Sequence, residues 1–112
     1  MNSTQYAQAI LNGGITLKGN EVAYHEHGYM VSLKGYELQV PLEQLGLDVI
    51  HEYQQEYEEL LENHNFGIWI DDDMAYLDIS VHIEDLQEAM QVGKENNQIS
   101  IYDIANNKAI TL

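Results

Sequence analysis

The stretch Phe66-Gly67-Ile68-Trp69-Ile70-Asp71-Asp72-Asp73-Met74-Ala75-Tyr76-Leu77-Asp78-Ile79-Ser80-Val81 decides the fold. Side chains on a strand point alternately to its two faces. Ile68 and Ile70 therefore share one face of a strand over residues 66–70, and Leu77, Ile79 and Val81 share one face of a strand over residues 75–81. Asp71-Asp72-Asp73 between them is a polar turn. The two runs make an antiparallel hairpin with one apolar face, which must be covered by something else.

Downstream of the hairpin, residues 84–95 read as a helix that supplies part of that cover. Ile83, Leu86, Ala89 and Met90 fall on its inner side. Glu84, Asp85 and Glu88 occupy the first turns and Lys94 the last, as the helix dipole favours. Asn96-Asn97 ends it, and residues 99–104 and 108–111 close the chain as a second hairpin around Asn106-Asn107. Upstream, residues 47–63 carry Val49, Ile50, Tyr53, Tyr57, Leu60 and Leu61 at spacings of three and four, the pattern of one long amphipathic helix. Residues 15–17, 22–24, 29–33 and 36–40 form short strands, punctuated by Gly19-Asn20, Gly28 and Lys34-Gly35, and suggest a meander. A first helix over residues 3–11 is capped by Ser3 or Thr4 and stopped at Gly13-Gly14. The expected fold is α+β: a mostly antiparallel sheet packed with two or three helices, in a single acidic domain over residues 1–112.

Composition narrows the function. A chain of 112 residues, 45% of them hydrophobic, can build a core without staples. It has no cysteine, which excludes disulfides, thiolate metal sites and a cysteine nucleophile. Residues 1–11 have neither the basic nor the apolar region of a signal peptide, and no apolar run approaches the roughly 20 residues of a membrane span. The expected compartment is the cytoplasm of the host cell, with no membrane partner. Nineteen acidic residues stand against four lysines and no arginine, for a formal net charge of −15. Direct contact with nucleic acid or anionic lipid needs Lys and Arg, so the expected partner is a basic protein, drawn in by the field of the whole molecule. The plain alternative is charge kept for solubility. A homodimer is left open.

From Gly35 to Gly93 there is no lysine, and 15 of the acidic residues lie in that interval. On a continuous helix over residues 47–63, Asp48, Glu52, Glu59 and Glu62 fall opposite the apolar stripe, with Glu56 and Glu58 flanking it. A step of four residues advances about 6 Å along a helix, close to the spacing of phosphates on one nucleic-acid strand. The expected partner-binding residues are Asp48, Glu52, Glu56, Glu59 and Glu62, together with Asp71, Asp72 and Asp73 at the hairpin tip.

Reactive constellations are weak by comparison. His25-Glu26-His27 places two imidazoles on one face of a strand, with His82 or Glu84 as further ligands, but paired surface histidines in a loop or edge strand are the commoner case. No metal or cofactor is expected. Asp71-Asp72-Asp73 lacks the alternation and closing glutamate of a calcium loop. Nucleophile elbows, P-loops and dinucleotide fingerprints are absent, and no enzyme activity is expected. Trp69 lies on the face of its strand opposite Ile68 and Ile70, either as a residue of a second core or as an exposed anchor; the core reading is preferred.

Several segments together resemble a group of small proteins carried by phages and plasmids of low-GC Gram-positive bacteria. They are residues 12–17, 28–33, 67–71, 75–81 and 88–103, spread along most of the chain's length; the acidic helix lies outside them. The resemblance implies a setting among inhibitors of host defence, of the anti-CRISPR and anti-restriction kind, several of which are acidic mimics of DNA. The expected function is thus inhibition of a host defence nuclease, by occupying its basic nucleic-acid-binding surface. The alternatives are an immunity protein or antitoxin that neutralises a basic toxin, and a phage structural or regulatory protein with incidental charge.

Overall fold

The computed structural model describes residues 1–112. The hairpin over the quoted stretch forms, as β5 (Asn65–Asp71) and β6 (Met74–Ile83), paired in the register Ile68↔Leu77 and Phe66↔Ile79. Asp72 takes a positive φ of 58° at the turn, a backbone conformation that Asp tolerates better than most residues. Around this pair an eight-stranded antiparallel sheet is ordered β2 (Glu21–Val22), β1 (Gly14–Lys18), β5, β6, β3 (Tyr29–Ser32), β7 (Ser100–Asp103), β8 (Lys108–Thr111), with β4 (Leu38–Pro41) also on β6.

The meander expected over residues 15–40 is only partly present. β1 and β2 make a hairpin, but β3 and β4 pair neither with β2 nor with each other. Both lie end to end along one side of β6, with Ser32 opposite Ser80 and Leu38 opposite Leu77. Five residues, 33–37, therefore fit where β6 has two, and they bulge out of the ladder around Gly35 at a φ of 92°. The ten-residue β6 is long enough to accept two partners on one side while β5 pairs the other, an arrangement that local alternation does not encode.

Four helices flank the sheet: α1 (Ser3–Asn12), α2 (Leu47–Glu56), α3 (Glu58–Leu61) and α4 (Leu86–Glu95). Asn2, rather than Ser3 or Thr4, caps α1. Its side chain accepts from the Gln5 N–H at 2.8 Å, and the Gln5 side chain accepts from the Asn2 N–H at 3.0 Å. The helix expected over residues 47–63 is broken at Tyr57, whose φ and ψ of −110° and 28° leave the helical region. The break fits an aromatic cluster: Tyr57 sits edge-on to Tyr53 at 4.9 Å and to Tyr36 at 5.3 Å between ring centres. Beyond it, Leu60 and Leu61 both pack on the core.

Strand alternation sends every apolar core residue of the sheet to one face. Leu17, Val40, Phe66, Ile68, Leu77 and Ile79 pack with Ile50 and Tyr53 of α2, and Val31 and Ile101 pack with Ala89 of α4. The other face has no helix on it. It carries Gly14, Thr16, Ser32, Gly67, Asp78, Ser80, Ser100 and Tyr102, and it is concave. No helix is long and apolar enough to cross a membrane.

Candidate functional site

All eight carboxylates expected to bind a partner are exposed: Asp48, Glu52, Glu56, Glu59, Glu62, Asp71, Asp72 and Asp73. The break at Tyr57 changes how they group. Asp48, Glu52 and Glu56 remain a stripe at four-residue spacing on α2, but Glu59 lies on α3 and Glu62 is its C-terminal cap, so the five do not share one helix face. The hairpin tip adjoins the chain entering α2, because the Leu42 N–H donates to the Asp73 carbonyl at 2.7 Å. Glu43, in the 3-10 turn Leu42–Gln44, therefore adds to the charge at that end. No lysine pairs with any of these carboxylates; the salt bridges of the molecule are His27–Glu84 at 2.6 Å and His82–Glu84 at 3.9 Å.

Those bridges gather the histidine motif with its suggested extra ligands, though not on a strand: residues 24–27 connect β2 to β3 without joining the sheet. His25 stacks on His82 with ring centres 3.7 Å apart and 8° between planes. The His82 Nε2 is turned to the His27 carbonyl at 2.8 Å. These side chains do not form a group that could hold a metal ion. Burial against the His82 ring holds the His25 pKa below its ordinary 6.5; the charges of His82 and His27 act in the same direction and Glu84 opposes them.

Trp69, preferred as a core residue from sequence, is 43% exposed. It stands on the helix-free face and stacks on Tyr76, its cross-strand partner, at 4.0 Å and 9°. Between Trp69 and Tyr102 that face holds a cavity of about 600 Å³. Its floor is low because Gly14, Gly67, Ser80 and Ser100 lie where larger side chains would fill it. Asp78 is set in this floor, only 9% exposed, and receives the Ser32 hydroxyl hydrogen bond at 2.6 Å. A Cβ at Gly67 would collide with the Asp78 carboxylate, so the glycine is what lets that side chain lie across the strand. Burial pushes the Asp78 pKa up from 3.8 to about 6; the Ser32 hydrogen bond opposes the shift and the charge of Glu37 adds to it.

No comparison names a relative. No family model matches the chain, and neither a curated protein nor a solved structure gives a significant match. The functional reading therefore rests on the chain's own residues.

Sequence reasoning missed Asp78. It sits in the polar phase of β6, between Tyr76 and Ser80, where alternation alone assigns it to solvent. A legible signal was the glycine in the neighbouring strand: once the hairpin register is fixed by its turn, Gly67 falls opposite Asp78, and an isolated strand glycine marks a close approach.

Proposed function

We propose that this chain inhibits a nucleic-acid-binding protein, a host defence nuclease of the CRISPR or restriction kind, by laying its carboxylates on the cationic surface that holds the nucleic acid. The observation that carries this reading is the set of exposed carboxylates along α2 and α3 and at the hairpin tip. Eight exposed carboxylates have no lysine partner within the chain, so their field is directed outward. Unpaired like charges at four-residue spacing on a helix destabilise it by roughly 0.2–0.5 kcal/mol per pair. Asp48, Glu52 and Glu56 repeat at about 6 Å along α2, which matches the spacing of bound phosphates in such a channel. Nucleases that hold a heteroduplex do so in a positively charged channel that reads backbone geometry, and a row of carboxylates can enter it without being a substrate.

The test is a cleavage assay on a purified type II CRISPR nuclease and on a restriction enzyme, with the full chain added before the DNA. Inhibition is expected to be competitive with nucleic acid and to weaken as salt rises, because screening shortens the reach of the charges. A variant with Asp48, Glu52, Glu56, Glu59 and Glu62 changed to Asn or Gln is expected to inhibit at least tenfold less well. Equal inhibition by that variant, or no effect on either nuclease class, rejects the proposal.

A further inference from the structure

The helix-free face of the sheet is not an unfinished surface. Strand by strand it has small residues at its centre and aromatic residues at its margins, the reverse of what a second layer of helices would need. The apolar core residues of every strand point to the opposite face. What remains is a cavity of about 600 Å³, within the range of small-ligand sites, which are concave and carry a few convergent polar groups.

Its chemistry is one-sided. The charged side chains that line it are Asp78 and Glu37, and no lysine or histidine reaches it. Asp78 is fixed by Ser32 through one carboxylate oxygen, Oδ2. Trp69 and Asp78 are diagonal neighbours across β5 and β6, since Gly67 is opposite Asp78 and Trp69 is opposite Tyr76. Diagonal positions lie about 7–8 Å apart. Both side chains line the cavity, so one flat group in it can stack on the indole and donate to the carboxylate. Tyr76 backs the indole on its far side, so the platform is held in place before anything binds.

We propose that this cavity is a binding site for a planar organic cation, a guanidinium group, seated between the Trp69 indole and the Asp78 carboxylate. A guanidinium is planar, stacks on aromatic faces and presents paired N–H donors to a carboxylate. A lysine ammonium is a compact, strongly hydrated point charge without a face to stack. Anionic ligands are repelled by the floor and by the net charge of −15. The site lies on the face of the sheet opposite α2, none of the eight proposed inhibitory carboxylates lines it, and it does not depend on the inhibitory role.

Asp78 also sets how the site responds to pH. Ser32 from β3 and Glu37 from the bulge stand beside it, Tyr76 and Ser80 flank it on β6, Tyr53 of α2 feels its charge from the opposite face, and Tyr102 lines the same cavity. A guanidinium binds the ionised carboxylate, so binding is complete above the carboxyl's raised pKa and declines as pH falls through it.

Trp69 is the single tryptophan of the chain, so its fluorescence reports on this site directly. The experiment titrates the full chain with agmatine, with the peptide Gly-Gly-Arg-Gly-Gly and with Gly-Gly-Lys-Gly-Gly, at pH 7.5 and pH 5.0. The two guanidinium probes are expected to saturate the signal and to bind about tenfold more weakly at pH 5.0, where roughly one carboxylate in ten of this pKa remains ionised. Tighter binding of agmatine assigns the site to a free small molecule; tighter binding of the arginine peptide assigns it to a side chain offered by a partner. Asp78→Asn, read by calorimetry or fluorescence, is expected to weaken both at least tenfold. Trp69→Ala, followed by calorimetry because it removes the fluorophore, is expected to do the same, while Glu52→Gln on α2 leaves affinity unchanged. Equal binding of the lysine peptide, no loss in the Asp78 and Trp69 variants, or an equal loss in Glu52→Gln would show attraction to diffuse negative charge and overturn the proposal. Absence of saturable binding by either guanidinium probe at pH 7.5 would overturn it as well.

Discussion

At the scale of single residues, Asp78 is the position where the fold is strained by its own chemistry. The folded-state pKa, pushed up to about 6, lies above the ordinary 3.8. Between those values the folded protein holds a proton that the unfolded chain has released, so this carboxyl favours folding most at low pH, and the benefit is lost as pH rises through 6. Asp78→Asn keeps an acceptor for Ser32 and removes the buried charge. It is expected to raise stability at pH 7.5 by on the order of 2–3 kcal/mol, with the gain shrinking toward pH 5, as read from denaturant unfolding at both values. A destabilised variant at pH 7.5 would mean that the carboxylate is better solvated in its floor than its burial indicates. His25 works in the opposite sense: its folded-state pKa is lowered, so the unfolded chain binds a proton first and stability declines as pH falls below about 6.5. His25→Ala is expected to flatten that acid-side decline in a melting series from pH 7.5 to 5.5.

Among the elements, α2 and α3 show what a periodic pattern can and cannot convey. The spacing of Val49, Ile50, Tyr53, Tyr57, Leu60 and Leu61 locates the apolar residues correctly, because each of them packs against the core. It does not locate the break, because a kink at Tyr57 preserves the same set of buried residues while turning the helix axis. The break is fixed instead by Tyr36, which reaches Tyr57 from the bulge between β3 and β4, a contact distant in sequence. For the same reason the acidic residues are legible one by one as exposed, and their grouping is not. The hairpin of β5 and β6 was readable because its register follows from a local turn; the partners of β3 and β4 were not, since both belong to β6, more than thirty residues away. Leu77→Ala, in the middle of β6 and fully buried, is expected to destabilise the protein by roughly 2–5 kcal/mol in equilibrium unfolding. Trp69→Ala, two positions from the same floor but half exposed, is expected to change stability far less; a comparable loss would place the indole in the core after all.

For the whole molecule, charge is the governing quantity. Four lysines cannot balance 19 acidic residues, and none of the lysines forms a salt bridge. Self-repulsion therefore opposes compactness, and added salt is expected to raise the melting temperature by several degrees between low and high ionic strength through screening. A melting temperature that is flat or falls over a sodium chloride series would show that the exposed carboxylates are spread too widely to repel one another. Isolated protein is also expected not to retard DNA or RNA in a gel at physiological salt, for want of cationic side chains; retardation there, without divalent metal, would contradict a partner that is a basic protein. The position of β6 has a further consequence for the order in which the molecule opens. It pairs with three strands, β5 along residues 74–80 on one side, and β4 along residues 74–77 and β3 along residues 80–83 on the other, whereas β2 has two residues and β8 lies at the far margin. Amide protons of β6 should therefore exchange with deuterated solvent only when the entire chain unfolds, those of β2 and β8 by local fraying long before. The slowest-exchanging amides should then run along the backbone on both sides of Asp78, so that the strand carrying the least comfortable side chain is also the last to let go.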